Sequence, residues 1–276
     1  MKLRKVTAAS AVVLALAVSV TACGGDKKDD ASGGKKIKIG IKFDQPGLGL
    51  KQPDGSFAGF DVDVATYVAK QLGYQPNQIE WVETKSADRE NALQRGDVKF
   101  IAATYSITDE RKQKVDFAGP YLLAHQDLLV KKGSDITKGT DLNSKKLCSV
   151  TGSTSAQNVQ KTIAPKANLR PLSGYSECVA GLQSGAVDAL TTDDSILAGF
   201  AAQDKYKGQF QLAGLKLSNE NYGIGVKKGD SATVDKINKA LEKMVSDKSW
   251  DKAVEKNFGP AHYKNEPAPK IGDIVK

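Results

Sequence analysis

Arg111 is the side chain best placed by type and spacing to hold an anion. It lies three residues after Thr108, whose hydroxyl suits a helix N-cap, so Asp109 and Glu110 fill the first turn of a short helix. A guanidinium there matches a planar carboxylate with two parallel hydrogen bonds, and the free N–H groups of the helix start add to the attraction. An ion pair with Asp109 or Glu110 is its competing use. A second anion cradle is spelled by Thr151-Gly152-Ser153-Thr154, successive N–H groups and hydroxyls ahead of a helix. An ordinary N-cap reads the same way. Phosphate would suit such a nest, but the glycine-lysine pattern of a Walker loop is absent. Asp193 follows a predicted strand and offers a carboxylate to an ammonium. Its neighbour Asp194 leaves the register open by one, and either acid also suits a helix cap.

The amino terminus carries an address. Met1-Lys2-Leu3-Arg4-Lys5 is basic, and residues 8–20 are almost wholly apolar but short for a ~30 Å hydrocarbon layer. A basic start and a short apolar run indicate an export signal. Val20-Thr21-Ala22-Cys23-Gly24 resembles a bacterial lipobox, which implies cleavage after residue 22 and a diacylated Cys23. Residues 24–36, GGDKKDDASGGKK, have no apolar face to bury and suit a tether.

Removing residues 1–22 takes away three basic residues and no acid, so the net charge falls from +8 to +5. The basic excess is scattered. Nucleic-acid binding wants a basic stripe with aromatics beside it, so no nucleic-acid partner is expected. A mild positive field would still help to draw in an anionic solute. Of three cysteines, Cys148 and Cys178 remain once Cys23 is lipidated. In an oxidising compartment they favour a disulfide over free buried thiols. There is no CxxC, and His125 and His262 are isolated, so neither metal nor cofactor is expected.

Alternation over Lys36–Ile41 predicts a first strand. A Gly- and Pro-containing loop spans 42–58. Helix 61–72, strand 79–82, helix 87–95 and strand 100–103 follow, the β-α-β-α-β order of a mostly parallel sheet covered by helices. Tyr121–Val130 is a long apolar strand, predicted to cross into a second lobe. There the pattern restarts with strand 146–150, helix 152–163, strand 169–172, helix 175–183, strand 187–191, helix 194–202 and strand 209–213. Tyr222–Val226 is predicted to bring the chain back, and helices fill 232–258. The expected architecture is α/β with two lobes and a cleft; a single doubly wound domain is the alternative.

Four stretches carry a resemblance over nearly all of 36–260: DGSFAGFDVD (54–63), TYSITDER (104–111), VDFAGPY (115–121) and GAVDA (185–189). Each is weak alone, but their order and spacing are specific. The chain resembles the polar amino-acid-binding proteins of ATP-driven (ABC) importers, and within them the glutamate-binding branch. The resemblance implies a type II periplasmic-binding-protein-like, Venus-flytrap fold with two hinge strands. The expected organisation is a signal at 1–22, lipid and tether at 23–35, a first lobe at 36–129, a second at 130–223, and a return at 224–276.

By the same resemblance Arg111 clasps the α-carboxylate and Ser106 donates to it. The Thr104 carbonyl accepts from the ligand ammonium, Gly152, Ser153 and Thr154 meet the ligand from the closing lobe, and Asp193 takes the ammonium. Many relatives have an acid where this chain has Lys42. A cation there favours an acidic ligand, its side-chain carboxylate meeting Lys42 with help from Thr151 or Thr192. Lys42 could equally point to solvent. The expectation is therefore an extracytoplasmic, lipid-anchored, monomeric protein that takes free L-glutamate, or else aspartate or glutamine, to an ABC permease. A sensory lipoprotein and the fold-related aromatic-acid dehydratases are the competing classes. A dehydratase needs an unpaired acid or base in the cleft, and only Glu83 and Glu177 are left unassigned.

Overall fold

The computed structural model describes residues 34–276. The signal segment, Cys23 and all but the end of the tether lie outside the described residues.

The first lobe opens with β1 (Ile37–Ile41), a small antiparallel sheet of β2 (Asp44–Gln45), β3 (Gly49–Lys51) and β4 (Phe57–Ala58), and α1 (Phe60–Gln71). It continues through β5 (Ile79–Glu83), α2 (Arg89–Arg95), β6 (Phe100–Ile101) and α3 (Asp109–Lys112). The loop predicted over 42–58 is thus partly sheet. Its strands are two or three residues long, too short to show a period. α1 buries Val64, Ala65 and Val68 on one side and places Asp61 and Asp63 in its first turn, where acids suit the helix dipole.

β7 (Val115–Lys131) then runs without a break, six residues longer at its start than predicted. The second lobe holds β8 (Lys146–Val150), α4 (Thr154–Asn158), β9 (Asn168–Leu172), α5 (Tyr175–Ser184), β10 (Ala189–Asp193), α6 (Asp194–Ala201) and β11 (Phe210–Leu212). β12 (Asn219–Lys227) returns to the first lobe, where α7 (Ser231–Ser246) and α8 (Ser249–Phe258) pack. α7 buries Ile237, Leu241 and Met244 on one face, as a 3.6-residue period requires.

Register along β7 shows how the lobes connect. Residues 115–125 pair antiparallel with β12, and residues 126–130 pair with β10. β5, β1 and β6 are parallel on one side, and β10, β8 and β9 on the other. Two parallel units therefore share a path through β7 and β12. In such sheets the crevice at the carboxyl ends of the strands takes the ligand.

Cys148 on β8 and Cys178 on α5 form a disulfide, with Cα atoms 5.6 Å apart. Both are fully buried. It closes a separation of 30 residues, and chain entropy puts its contribution at about 3–4 kcal/mol. Urea denaturation of the Cys148→Ser/Cys178→Ser protein should show a loss of about that size. An unchanged midpoint would show that the bridge does not stabilise the second lobe.

Candidate functional site

Six segments end on one small, partly open cavity between the lobes. Its wall is formed by Ser86 and Arg89 at the start of α2, Thr104 and Ser106 after β6, and Arg111 on α3. Ser153, Thr154 and Ser155 at the start of α4, Tyr175 on α5 and Asp193 at the end of β10 complete it. The free volume is about 10 Å³, room for about one water, so the lobes must part for an amino acid to enter.

The first-lobe wall is cationic. Arg111 is 9% exposed. Its Nη1 donates to the Ser106 carbonyl at 2.9 Å, and its Nε is 3.6 Å from Glu90. Its Nη2 donates to the Gly152 carbonyl of the second lobe at 3.1 Å. The Thr108 hydroxyl accepts from the Arg111 N–H at 3.2 Å, the cap that the sequence predicts. Arg89 is 2% exposed. It donates to the Ser86 hydroxyl at 2.8 Å and the Thr104 carbonyl at 3.4 Å, while its buried Nε has no hydrogen-bond partner among the described residues. Both guanidiniums lie over the Tyr105 ring, at 4.6 and 5.0 Å. Burial first, and then the neighbouring Arg111 charge, holds Arg89 below its ordinary value.

Thr104 has φ +47°, a left-handed conformation that costs a β-branched residue of order 1–3 kcal/mol. Asp61 over-determines it. Its carboxylate accepts from the Thr104 N–H at 2.9 Å and from the Tyr121 hydroxyl at 2.7 Å. Burial raises the Asp61 carboxyl to about 6. The resulting turn presents Thr104 and Ser106 to the cavity.

The second-lobe wall is acidic and hydroxyl-rich. Asp193 accepts from the Tyr222 hydroxyl at 2.5 Å and from Ser155 at 3.4 Å. Burial, then the charge of Glu220, pushes it well above the usual carboxylate range. Asp194 is turned away, accepting from the His125 and Ser195 N–H groups and the Tyr263 hydroxyl. That resolves the register between the two acids. Ser153 caps α4, and the Thr154 hydroxyl donates to Glu220 at 3.2 Å.

The lobes touch on both sides of the cavity. A Cβ on Gly152, whose φ is +79°, would stand 2.8 Å from the Ala87 backbone; one on Gly199 would stand 2.0 Å from the Pro46 carbonyl. The Asp44 carboxylate accepts from the Ser176 N–H at 3.3 Å.

Of the expected residues, Thr104, Ser106, Arg111, Ser153, Thr154 and Asp193 line the cavity, and Gly152 contributes its carbonyl through Arg111. Three of the expected residues are placed differently. Lys42 is buried, at 2% exposed, but stands outside the lining set, its ammonium 5.6 Å from the Tyr175 ring. Burial and Arg89 lower it to about 8. Thr151 is exposed and lines an outer groove with Lys114 and Lys161 instead. The Thr104 carbonyl faces Arg89. The sequence reading missed Ser86, Arg89, Ser155 and Tyr175. Ser86 and Arg89 at i, i+3 before an apolar stripe were the one available signal, and it is weak.

A family model described as bacterial extracellular solute-binding proteins, family 3, matches residues 37–260. A glutamate-binding protein of Corynebacterium efficiens is 45% identical, over 93% of this chain and 91% of that protein. An ABC transporter glutamine-binding protein of Bacillus subtilis is 39% identical, over 92% and 97%. An ancestral arginine-binding protein solved with arginine superposes with a TM-score of 0.76 at 38% identity, covering 81% of this chain and 98% of that one.

Proposed function

Because this chain belongs to the family 3 bacterial extracellular solute-binding proteins, we propose that it captures an acidic amino acid, L-glutamate first, outside the cytoplasm for an ABC permease. One observation carries the choice of an acid: two buried guanidiniums, Arg89 and Arg111, share one wall of the cavity opposite Asp193. A zwitterion needs one cation and one anion. A second guanidinium, with a buried Nε that no group among the described residues accepts from, calls for a second carboxylate. The relatives' names, glutamate-binding and glutamine-binding, support an amino acid of this length.

In this assignment Arg111 takes the α-carboxylate, helped by Ser106, and Asp193 takes the ammonium. Arg89 takes the side-chain carboxylate, with Lys42, 5.6 Å from the Tyr175 ring, adding positive field. Glutamine would leave Arg89 without its charge partner, and aspartate is one methylene shorter. β7 and β12 act as hinges between a first lobe of 36–129 with 224–276 and a second lobe of 130–223. The protein works as a monomer and releases its ligand unchanged.

A thermal-shift screen of the mature protein over the free amino acids tests the assignment. Ligands that bind only the folded form raise the melting temperature by linkage, so glutamate should give the largest shift. A larger shift with glutamine would remove the acidic assignment and leave amino-acid capture standing.

Closure around the ligand should depend on Gly152. Gly152→Val places branched carbons against the Ala87 backbone, at a φ that suits glycine. Affinity should fall at least tenfold, roughly 1.4 kcal/mol, and small-angle scattering should show no compaction at saturating glutamate. Compaction equal to that of the wild type would mean the lobes do not meet there.

Cys23 is the proposed lipid-bearing residue and holds the protein on the outer face of the cell membrane. The mature amino terminus should carry a diacylglyceryl group, and Cys23→Ala should release protein or leave precursor. An unmodified Cys23 by mass spectrometry would exclude the anchor.

A further inference from the structure

The match to the family model ends at residue 260, and the chain beyond it runs behind the hinge, where Asp194 turns away from the cavity. Its root is in the first lobe. The Tyr263 N–H donates to the Phe258 carbonyl at 3.2 Å, and the two rings stand edge to face with centroids 5.2 Å apart. Ala268 and Ile271 pack on the core, and the Gly272 N–H donates to the Gly119 carbonyl of β7 at 2.9 Å.

From that root the segment crosses both hinge strands. Asn221 on β12 exchanges hydrogen bonds with Val275, donating to its carbonyl at 2.8 Å and accepting from its N–H at 3.1 Å. Asn219 donates to the main-chain oxygen of Lys276 at 2.8 Å. On β7, His125 Nε2 lies 3.1 Å from Glu266 Oε1. These are the residues of the pivot. His125 pairs with Asn219 on β12, whereas the next residue, Gln126, pairs with Asp193 on β10.

The segment also reaches the second lobe. The Tyr263 hydroxyl donates to Asp194 Oδ1 at the start of α6, at 2.8 Å, and Lys216 donates to Glu266 Oε1 at 3.1 Å. Burial, then the Asp194 charge, keeps Tyr263 a neutral phenol and so a donor. Asp194 directly follows the acid assigned to the ligand's ammonium. Hydrogen bonds of this kind are lost once donor and acceptor stand more than about 3.5 Å apart. Parting of the lobes turns Asp194 and Lys216 relative to a segment rooted in the first lobe, so these bonds favour the conformation in which the lobes touch.

We propose that residues 263–276 form a further tie between the lobes, and that Tyr263 and Glu266 raise ligand affinity by holding the lobes together from behind the hinge. Both are positioning residues: they act through Asp194, Lys216 and the pivot, and touch no ligand. The proposal rests on the ligand being an amino acid that the lobes close around, as argued above. Since the tie belongs to the closed form, its loss speeds escape of the ligand more than it slows entry.

Titration calorimetry and dissociation kinetics of the mature protein with L-glutamate test this. Tyr263→Phe/Glu266→Gln should raise the Kd roughly tenfold, chiefly through faster dissociation. The factor should be the same for L-glutamine, because no ligand side chain meets the tie. Tyr263→Phe alone should give about threefold and decides if the double variant folds poorly. Lys264→Ala, exposed and outside the tie, should bind as the wild type does. Hydrogen exchange needs no ligand. The Gln126 and Leu217 N–H groups close the pivot, on the Ser218 and Gln126 carbonyls, and in the ligand-free double variant they should exchange several-fold faster than in the wild type. A Kd within about twofold of the wild type, a loss confined to glutamate, or unchanged exchange at the pivot would overturn the proposal. If the wild type binds neither glutamate nor glutamine, the ligand assignment fails by itself, and the exchange rates still decide whether the tie holds the hinge.

Discussion

Arg111→Lys should raise the Kd for every amino acid by roughly 150-fold, about 3 kcal/mol, whatever the side chain of the ligand. The size follows from what the guanidinium does. It is almost wholly buried, its plane lies over Tyr105, and its three nitrogens are aimed at Ser106, Gly152 and Glu90. A lysine ammonium is a point charge and cannot present a planar fork to a carboxylate. It also cannot hold the Ser106 and Gly152 carbonyls together, so the link between lobes weakens with the ligand contact. Truncating one partner of a desolvated pair strands the other, which costs more than the pair is worth net. Calorimetric titration with glutamate and glutamine should give equal losses, with the unfolding midpoint in denaturant little changed. A loss below tenfold, or one confined to glutamate, would show that Arg111 does not hold the α-carboxylate.

Arg89→Met should divide the two ligands. Glutamate should lose about 2–3 kcal/mol more than glutamine, roughly 30- to 150-fold in Kd. Methionine keeps the length and apolar stem of the side chain while removing its charge and fork. Losing the contacts to Ser86 and the Thr104 carbonyl affects both ligands alike, so the difference between the two losses isolates the side-chain carboxylate. Lys42→Met, measured in the same way, should give a smaller difference, because that ammonium is not among the groups lining the cavity. Equal losses for glutamate and glutamine in Arg89→Met would remove Arg89 from side-chain recognition. A larger difference in Lys42→Met would return the role to Lys42.

Most elements were legible because their signals are local. Alternation marked β1, a 3.6-residue stripe runs along α1 and α7, and the left-handed Gly96 closes α2. Arg111 was legible for the same reason, since its cap, Thr108, lies one turn away. β10 was displaced by two residues. The run from Val187 to Thr191 is apolar enough to extend at either end, and what settles the register is pairing of Asp193 with Gln126 on β7. That shift makes Asp193 the last residue of a buried strand rather than part of a loop.

The order of the lobes, the single interruption by β7 and the return by β12 are written in the chain, because hydrophobic period and turn residues record how each segment relates to its own element. So are the lipobox-like Cys23, the pairing of Cys148 with Cys178 as the two thiols left over, and the likeness to family 3. What only the tertiary structure decides is which side chains meet between elements. Thr154 and Glu220 are 66 residues apart, and Asp61 and Thr104 are 43 apart. Nothing in the local pattern of either partner records the other. Lys42 and Arg89 show the consequence most plainly. Both are buried cations ahead of or within the first lobe's helices, and charge type alone favours neither. Tertiary packing leaves Lys42 off the cavity wall, 5.6 Å from the Tyr175 ring, and puts Arg89 on it, because a side chain's exposure to a ligand depends on the placement of two lobes and not on the period of its own segment.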